Sequence, residues 1–370
     1  MSTDDPTLEA ILRTGLQHLR DLLGPDWDVT IDPFHRESDL FDQEHDTMVR
    51  VQAKGEAAYG RLLVDLKTTV SPKGVRDLTL PKQLFLQRVN AYTSVLVMAP
   101  FIPPAARQVL REHDIGYLDL AGNVSLRMRR PTVVIRTQGT KPASRAGAPS
   151  RGKPTLAGAK AGRLVRLLVD VAPPHRAKDL AIAASLSLPY VSRLLDALED
   201  QLLIRRADRV ITDVDWQGLL RVRAEQVTLL KHNPFVSVLA PNGIDELLRR
   251  LRSYRAYGPL PITGSYAARA VAPLTGGGQV MVYVPAAPGA AEEIGDDLGL
   301  LPVEEGADVL LLRAGDDVVF ERTRAVDGLG HVALSQLVLD CLSGPGRMPA
   351  EGEAVMGYMS EHESEWRAFP

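Results

Sequence analysis

The stretch LSLPYVSRLLDALEDQLLIRR, residues 186–206, decides how the chain is read. Val191, Leu194, Leu195, Leu198 and Leu202 fall at i, i+3, i+4, i+7 and i+11, one apolar stripe at the helical period. Ser187 is the expected N-cap, and Pro189 falls in the first turn, where a missing N–H costs nothing. The opposite face opens with Tyr190, Ser192 and Arg193 and turns acidic only at Asp196 and Asp200. Donors and an aromatic ring at the N-terminal end suit a helix that enters a major groove nose first, and acids can sit where it leaves the phosphates.

The flanking residues extend this reading. Upstream, GRLVRLLVDVA (162–172) and AKDLAIAASL (177–186) are two short amphipathic helices, the second joined to the quoted helix by a turn at Ser185 to Ser187. Downstream, LLIRRADRVITDV (202–214) reads as strand, tight Ala207-Asp208 turn and strand. Helices followed by a basic hairpin make a winged helix-turn-helix. The V-S-R that opens the third helix and the L-I-R-R that opens the wing resemble those of bacterial winged-helix transcription factors. The roles expected are Arg193, Ser192 and Tyr190 for base edges, with Arg205, Arg206, Arg209, Arg176 and Lys178 for phosphates.

Composition allows this without announcing it. The chain has 370 residues, enough for two or three domains, with 45% hydrophobic and 24% charged residues and a formal net charge of -3. Any basic surface is therefore local. The single cysteine, Cys341, excludes an internal disulfide and a cysteine-cluster zinc site, and its leucine neighbours place it in a buried helix. MSTDDPTLEA lacks the features of a signal peptide, no window has the apolar length of a membrane span, and a cytoplasmic location is expected.

Residues 137–162, TQGTKPASRAGAPSRGKPTLAGAKAG, are too poor in large apolar residues to build a core and carry only basic charges, so they are expected to be a flexible basic linker. Arg151-Gly152-Lys153-Pro154 within it resembles an AT-hook core, which places Arg151 and Lys153 among the DNA-contact candidates. Before the linker, a helix over Leu8 to Leu23 precedes WDVTID, DTMVRVQAK and GRLLVDLKTTV. A helix over about Val75 to Asn90, the strand TSVLVMAPF, the helix PPAARQVLREHD and the short strands GYLDL, VSLRM and TVVIRT follow. This is an α/β domain with a mixed sheet.

GRLLVDLKTTV sets Asp65 and Lys67 on one strand face, with Asp46 at the mouth of the preceding strand and Glu9 on the first helix. This arrangement resembles the PD-(D/E)xK nuclease fold. The resemblance implies a Mg²⁺ held by Asp46 and Asp65, Lys67 beside the attacking water, and Glu9 as a further member. No Pro-Asp marks the first acid, and Asp39, Asp42 and Glu44 compete with Asp46 for that role. Further on, Gly122-Asn123 is a turn pair that tolerates positive φ, and Tyr117 and Asp119 share one strand face.

Beyond about residue 232, LPITGSYAARAVAPL, QVMVYVP and DVLLLRA alternate with helical EEIGDDLG and HVALSQLVLDCL, and the polar tail after about 360 is expected to fray. The strand–Gly264-Ser265–helix step resembles nucleotidyltransferases, but the metal-binding acids such enzymes need are missing from QVMVYVP, so a degenerate version is expected. Residues 160–350 as a whole resemble the AbiEi family of type IV antitoxins, DNA-binding autoregulators. That resemblance implies a toxin or effector as a further partner.

The expected fold is α/β and multidomain: a restriction-endonuclease-like domain (1–136), a linker (137–162), a winged helix-turn-helix (163–231) and a degenerate nucleotidyltransferase-like domain (232–360). The expected function is a sequence-specific regulator of transcription on double-stranded DNA, acting as a homodimer without a required cofactor. The alternatives are a Mg²⁺-dependent nuclease built on Asp46, Asp65 and Lys67, and a nucleotide-sensing regulator using Gly264 and Ser265.

Overall fold

The structure is a computed structural model that describes residues 8–32, 46–89, 92–139, 155–258, 260–274 and 278–368. Asp39, Asp42 and Glu44, the competitors of Asp46, and the AT-hook-like Arg151 and Lys153 lie outside the described residues. The chain is of mixed α/β class and divides near residue 151 into two compact units.

In the first unit α1 (Leu8–Leu23) leads to β1 (Trp27–Ile31), β2 (Asp46–Ala53) and β3 (Tyr59–Leu66). The chain then runs through α2 (Pro72–Gly74), a π-helical turn (Val75–Thr79), α3 (Leu80–Val89), β4 (Thr93–Ala99) and α4 (Pro104–Glu112). Three short strands close it: β5 (Gly116–Asp119), β6 (Val124–Arg129) and β7 (Thr132–Thr137). All seven strands form one sheet in sequence order, parallel at β3–β4 and β4–β5, where helical segments supply the crossovers. Strand alternation sorts the side chains. Leu62, Val64 and Leu66 share one core with Ile11, Leu16 and Leu19 of α1, while Leu63, Val95 and Val97 meet Val75, Leu86 and Leu110 on the other face. The helix expected from Val75 begins earlier, at Pro72, capped by Ser71 Oγ on the Gly74 N–H at 3.0 Å. Pro81 has no N–H to return to Asp77, which accounts for the widened π turn before it.

The second unit starts with α5 (Ala159–Asp170), β8 (His175–Arg176), α6 (Ala177–Ala183), α7 (Leu188–Asp200), β9 (Ile204–Ala207) and β10 (Val210–Val214). The strands form an antiparallel sheet in the order β8-β10-β9. Helices α6 and α7 meet at a bend of 118° across residues 184–187, where Ser185 takes φ +53°. The hairpin turn falls one residue later than expected: Asp208 and Arg209, at φ +48° and +66°, are its central residues. A two-residue turn of this hand needs positive φ at both, which Asp tolerates better than Ala.

The chain continues through α8 (Trp216–Ala224), α9 (Leu229–His232), β11 (Phe235–Leu239), α10 (Ile244–Ser253), β12 (Ile262–Thr263), α11 (Gly264–Arg269), β13 (Val280–Val284) and α12 (Ala290–Asp297). It ends with β14 (Leu301–Pro302), β15 (Val309–Arg313), β16 (Arg324–Val326), β17 (Leu329–His331), α13 (Leu334–Leu342), α14 (Met348–Glu361) and α15 (Glu363–Trp366). A second seven-stranded sheet runs β14-β11-β15-β13-β12-β17-β16. One continuous core joins Leu164 and Val165 of α5 and Leu194 of α7 to Val282, Leu311 and Leu337, so residues either side of 232 share an interior.

The tail expected to fray is held. Trp366 meets Trp216 edge-on at 5.2 Å, Arg367 Nε donates to the Val169 carbonyl at the end of α5, and the Ala172 N–H donates to the Ala368 carbonyl. A cation on the last carbonyls of a helix is a favourable cap. No single described helix is long and apolar enough to cross a membrane.

Candidate functional site

The α7 face is built as the spacing predicts as far as Leu198; Leu202 is a correction, since it lies past the helix end at φ +60° and is half-buried. Val191, Leu194, Leu195 and Leu198 are buried, while Ser187, Pro189 and Arg193 are exposed and Ser192 is half-buried. Arg193 folds back along its own helix, its Nε donating to the Pro189 carbonyl at 3.3 Å. Arg193, Ser185, Ser187 and Tyr190 line a cleft of about 290 Å³ with Lys160 of α5. Tyr190 is half-buried and packs against the core, which limits it to the wall of that cleft.

The cations divide into two sets. Arg176, Lys178 and Arg209 are exposed and make no side-chain hydrogen bond or ion pair among the described residues. Arg206, expected on a phosphate, is already occupied: its guanidinium donates to Asp196 of α7 at 2.7 Å and to Glu199. Partial burial opposes its charge, the two carboxylates outweigh that cost, and its pKa is raised. Its role is to pin the hairpin to α7. Arg205 donates to Asp213 across the hairpin at 2.7 Å, an exposed pair that a phosphate can displace at small cost.

In the first unit Asp46 and Asp65 are register partners on adjacent strands, both buried, and Lys67 reaches Asp65 Oδ1 at 3.1 Å. The fourth member is Lys82 of α3, absent from the sequence-based set. Its Nζ donates to Asp46 Oδ1 at 2.7 Å, Asp46 Oδ2 at 2.8 Å and Asp65 Oδ1 at 3.2 Å, and Thr79 Oγ1 donates to Asp65 Oδ2 at 2.8 Å. Val75, Thr79, Lys82 and Leu86 are all buried, at i, i+4, i+7 and i+11. A lysine within such a stripe was the available signal. Glu9 is a correction: it is exposed on α1, which packs on the sheet face carrying Leu62 and Val64, whereas Asp65 has the opposite parity.

This cluster does not fit Mg²⁺. The ion needs carboxylate oxygens at about 2.0–2.1 Å and a net negative site, and here an ammonium holds both oxygens of Asp46 while two lysines balance two carboxylates. Among the described residues no group of three acidic, His or Cys side chains could hold a metal. Asp119 is likewise structural: it accepts from the backbone N–H of Ile102, Ala121 and Asn123 and from the Asn123 side chain, fixing the Gly122-Asn123 turn. Tyr117 is buried and accepts from Arg111.

At the nucleotidyltransferase-like step, Gly264 has φ +70°, and an added Cβ would lie 2.9 Å from Met281 Sδ. Ser265 Oγ donates to Glu351, a buried carboxylate, so the hydroxyl that opens this helix is already committed to an acid that would repel a phosphate. Thr263 Oγ1 and the Tyr283 hydroxyl donate to Asp340, whose pKa complete burial raises to about 6. Gln336 links Asp340 to Arg166 of α5, itself paired with Asp170. Burial also pushes the neighbouring Cys341 thiol up, as its buried helical position implied.

Comparison with protein-family models, curated proteins and solved structures finds no match for this chain.

Proposed function

We propose that the chain is a sequence-specific, non-cutting DNA-binding regulator that reads duplex DNA with α7 and grips the backbone with the β9–β10 hairpin. The observation that carries this reading is the order α5-β8-α6-α7-β9-β10 with sheet order β8-β10-β9, the connectivity of a winged helix-turn-helix, together with the exposed N-terminal face of α7. The 118° bend falls within the range of helix-turn-helix pairs. Arg193 supplies base recognition, Ser192 a flanking contact, and Arg176, Lys178, Arg209 and the displaceable Arg205 supply phosphate contacts. Two copies on two half-sites are the proposed assembly.

The first unit, in this reading, keeps a restriction-endonuclease-like scaffold in which Lys82 stands in for the metal. Glu351 and Asp340, in turn, argue for a nucleotidyltransferase-like scaffold that takes no nucleotide. A toxin or effector partner follows only from the antitoxin resemblance.

The test is selection of bound duplexes from a randomised pool by the wild-type protein and by Arg193→Ala. A defined motif is expected for the wild type, with one position relaxed by about 1–3 kcal/mol in the variant. Identical motifs from the two proteins would remove Arg193 from base recognition, and no motif from either would end the reading.

A further inference from the structure

Strand alternation places Arg127 and Arg129 of β6 on the same outward face as Arg136 of β7, because Ser125 pairs with Arg136, Arg127 with Val134 and Arg129 with Thr132. The inward set, Val124, Leu126, Met128 and Val133, is buried, so the three guanidinium groups have no alternative but solvent or a ligand. All three are exposed, and none makes a side-chain hydrogen bond or ion pair among the described residues. Between this hairpin and the end of α4 lies a cavity of about 330 Å³, lined by Arg127, Arg136, Ser125 and Thr137 on one side and Arg111 on the other. Asp114 is the one carboxylate among its lining residues. At the hairpin tip the Arg130 guanidinium lies 5.5 Å from the ring of Tyr92, itself an exposed aromatic.

We propose that this face is a second nucleic-acid contact, a sequence-independent grip on the phosphodiester backbone. Exposed arginines without carboxylate partners, converging on a cavity from two elements, fit anionic oxygens that protrude singly from a strand. A planar layer of lipid headgroups cannot enter such a concavity, and the face offers Val134 as its large exposed apolar side chain. The grip is independent of α7: it adds affinity and salt dependence, and it carries no sequence information.

The experiment measures binding of the full chain to a labelled duplex of scrambled sequence, about 20 bp long, by anisotropy across about 50 to 200 mM salt. The combined variant Arg127→Ala, Arg129→Ala, Arg136→Ala is compared with the corresponding triple lysine variant and with Arg136→Ala alone, with thermal melting of each as a check on folding. The alanine triple is expected to bind more weakly, with a log K versus log salt slope shallower by about 2 to 3; the single variant loses about 1, and the lysine triple keeps the wild-type slope. Arg193→Ala is expected to relax the motif at one position while keeping the slope lost by the alanine triple, so the α7 reading and this one fail separately. An unchanged slope and affinity in the alanine triple would overturn the proposal. Wild-type binding to phosphatidylserine vesicles but not to the scrambled duplex would do the same.

Discussion

At the scale of single residues, the first unit turns on Lys82. An ammonium shared by two buried carboxylates ties the sheet to α3 and occupies the carboxylate oxygens that a metal would need. Lys82→Ala leaves two buried carboxylates facing each other, and a loss of about 3–5 kcal/mol in urea unfolding at neutral pH is expected. Millimolar Mg²⁺ should raise the melting temperature of that variant and leave the wild type unmoved, because ligand that binds only the folded state stabilises it. Equal stability of the two proteins would show that Lys82 does not carry this role. Asp340 makes a second residue-scale prediction. Its folded pKa of about 6 lies above the ordinary 3.8, so the folded state holds this proton more tightly than the unfolded chain. The stabilisation is complete below about pH 3.8 and is lost as pH rises to about 6, roughly 3 kcal/mol from this group. Relative to Asp340→Asn, wild-type unfolding free energy should therefore fall between pH 4 and 7; a pH-independent difference would contradict the burial argument.

At the scale of elements, the apolar period of α7 was enough to place the helix, its buried stripe as far as Leu198 and its exposed N-terminal face, because these follow from spacing, whereas the left-handed turn that takes Leu202 out of the helix does not. The partners of its acidic end were not legible. Asp196 and Glu199 meet Arg206 only because the hairpin folds back on α7, a contact set by tertiary packing. The same limit hid Lys82, whose carboxylates lie on strands far along the chain, and the tail, whose Arg367 cap depends on the end of α5. The hairpin turn yields a prediction in two opposed directions. Arg209→Gly relieves a non-glycine residue at φ +66° and should stabilise the protein by about 1 kcal/mol. It also removes the guanidinium at the tip, so DNA affinity and its salt slope should drop, the slope by about 1. Thermal melting and a salt titration of the one variant check both halves; unchanged DNA binding would take Arg209 off the phosphates.

At the scale of the whole molecule, two units answer two physical demands. The first buries Asp46, Asp65 and Lys82 together and leaves Arg127, Arg129 and Arg136 exposed. In the second, a core continuous from α5 to α13 gives α7 a rigid mount, which a helix needs if its side chains are to meet base edges in register. The mixed α/β class was readable from the alternation of periods along the chain. The sharing of one interior across residue 232 was not, because Arg166, Gln336 and Asp340 join only after folding.

The central claim is that the chain binds duplex DNA and leaves it intact. It is tested most directly by a gel shift on the DNA upstream of its own gene, in Mg²⁺ and across a salt series, with each reaction also run on a denaturing gel. The account predicts a salt-sensitive shift with uncut strands, weakened by Arg193→Ala. Strands cut in Mg²⁺ and spared by EDTA, or no shift even at about 50 mM salt, would contradict it.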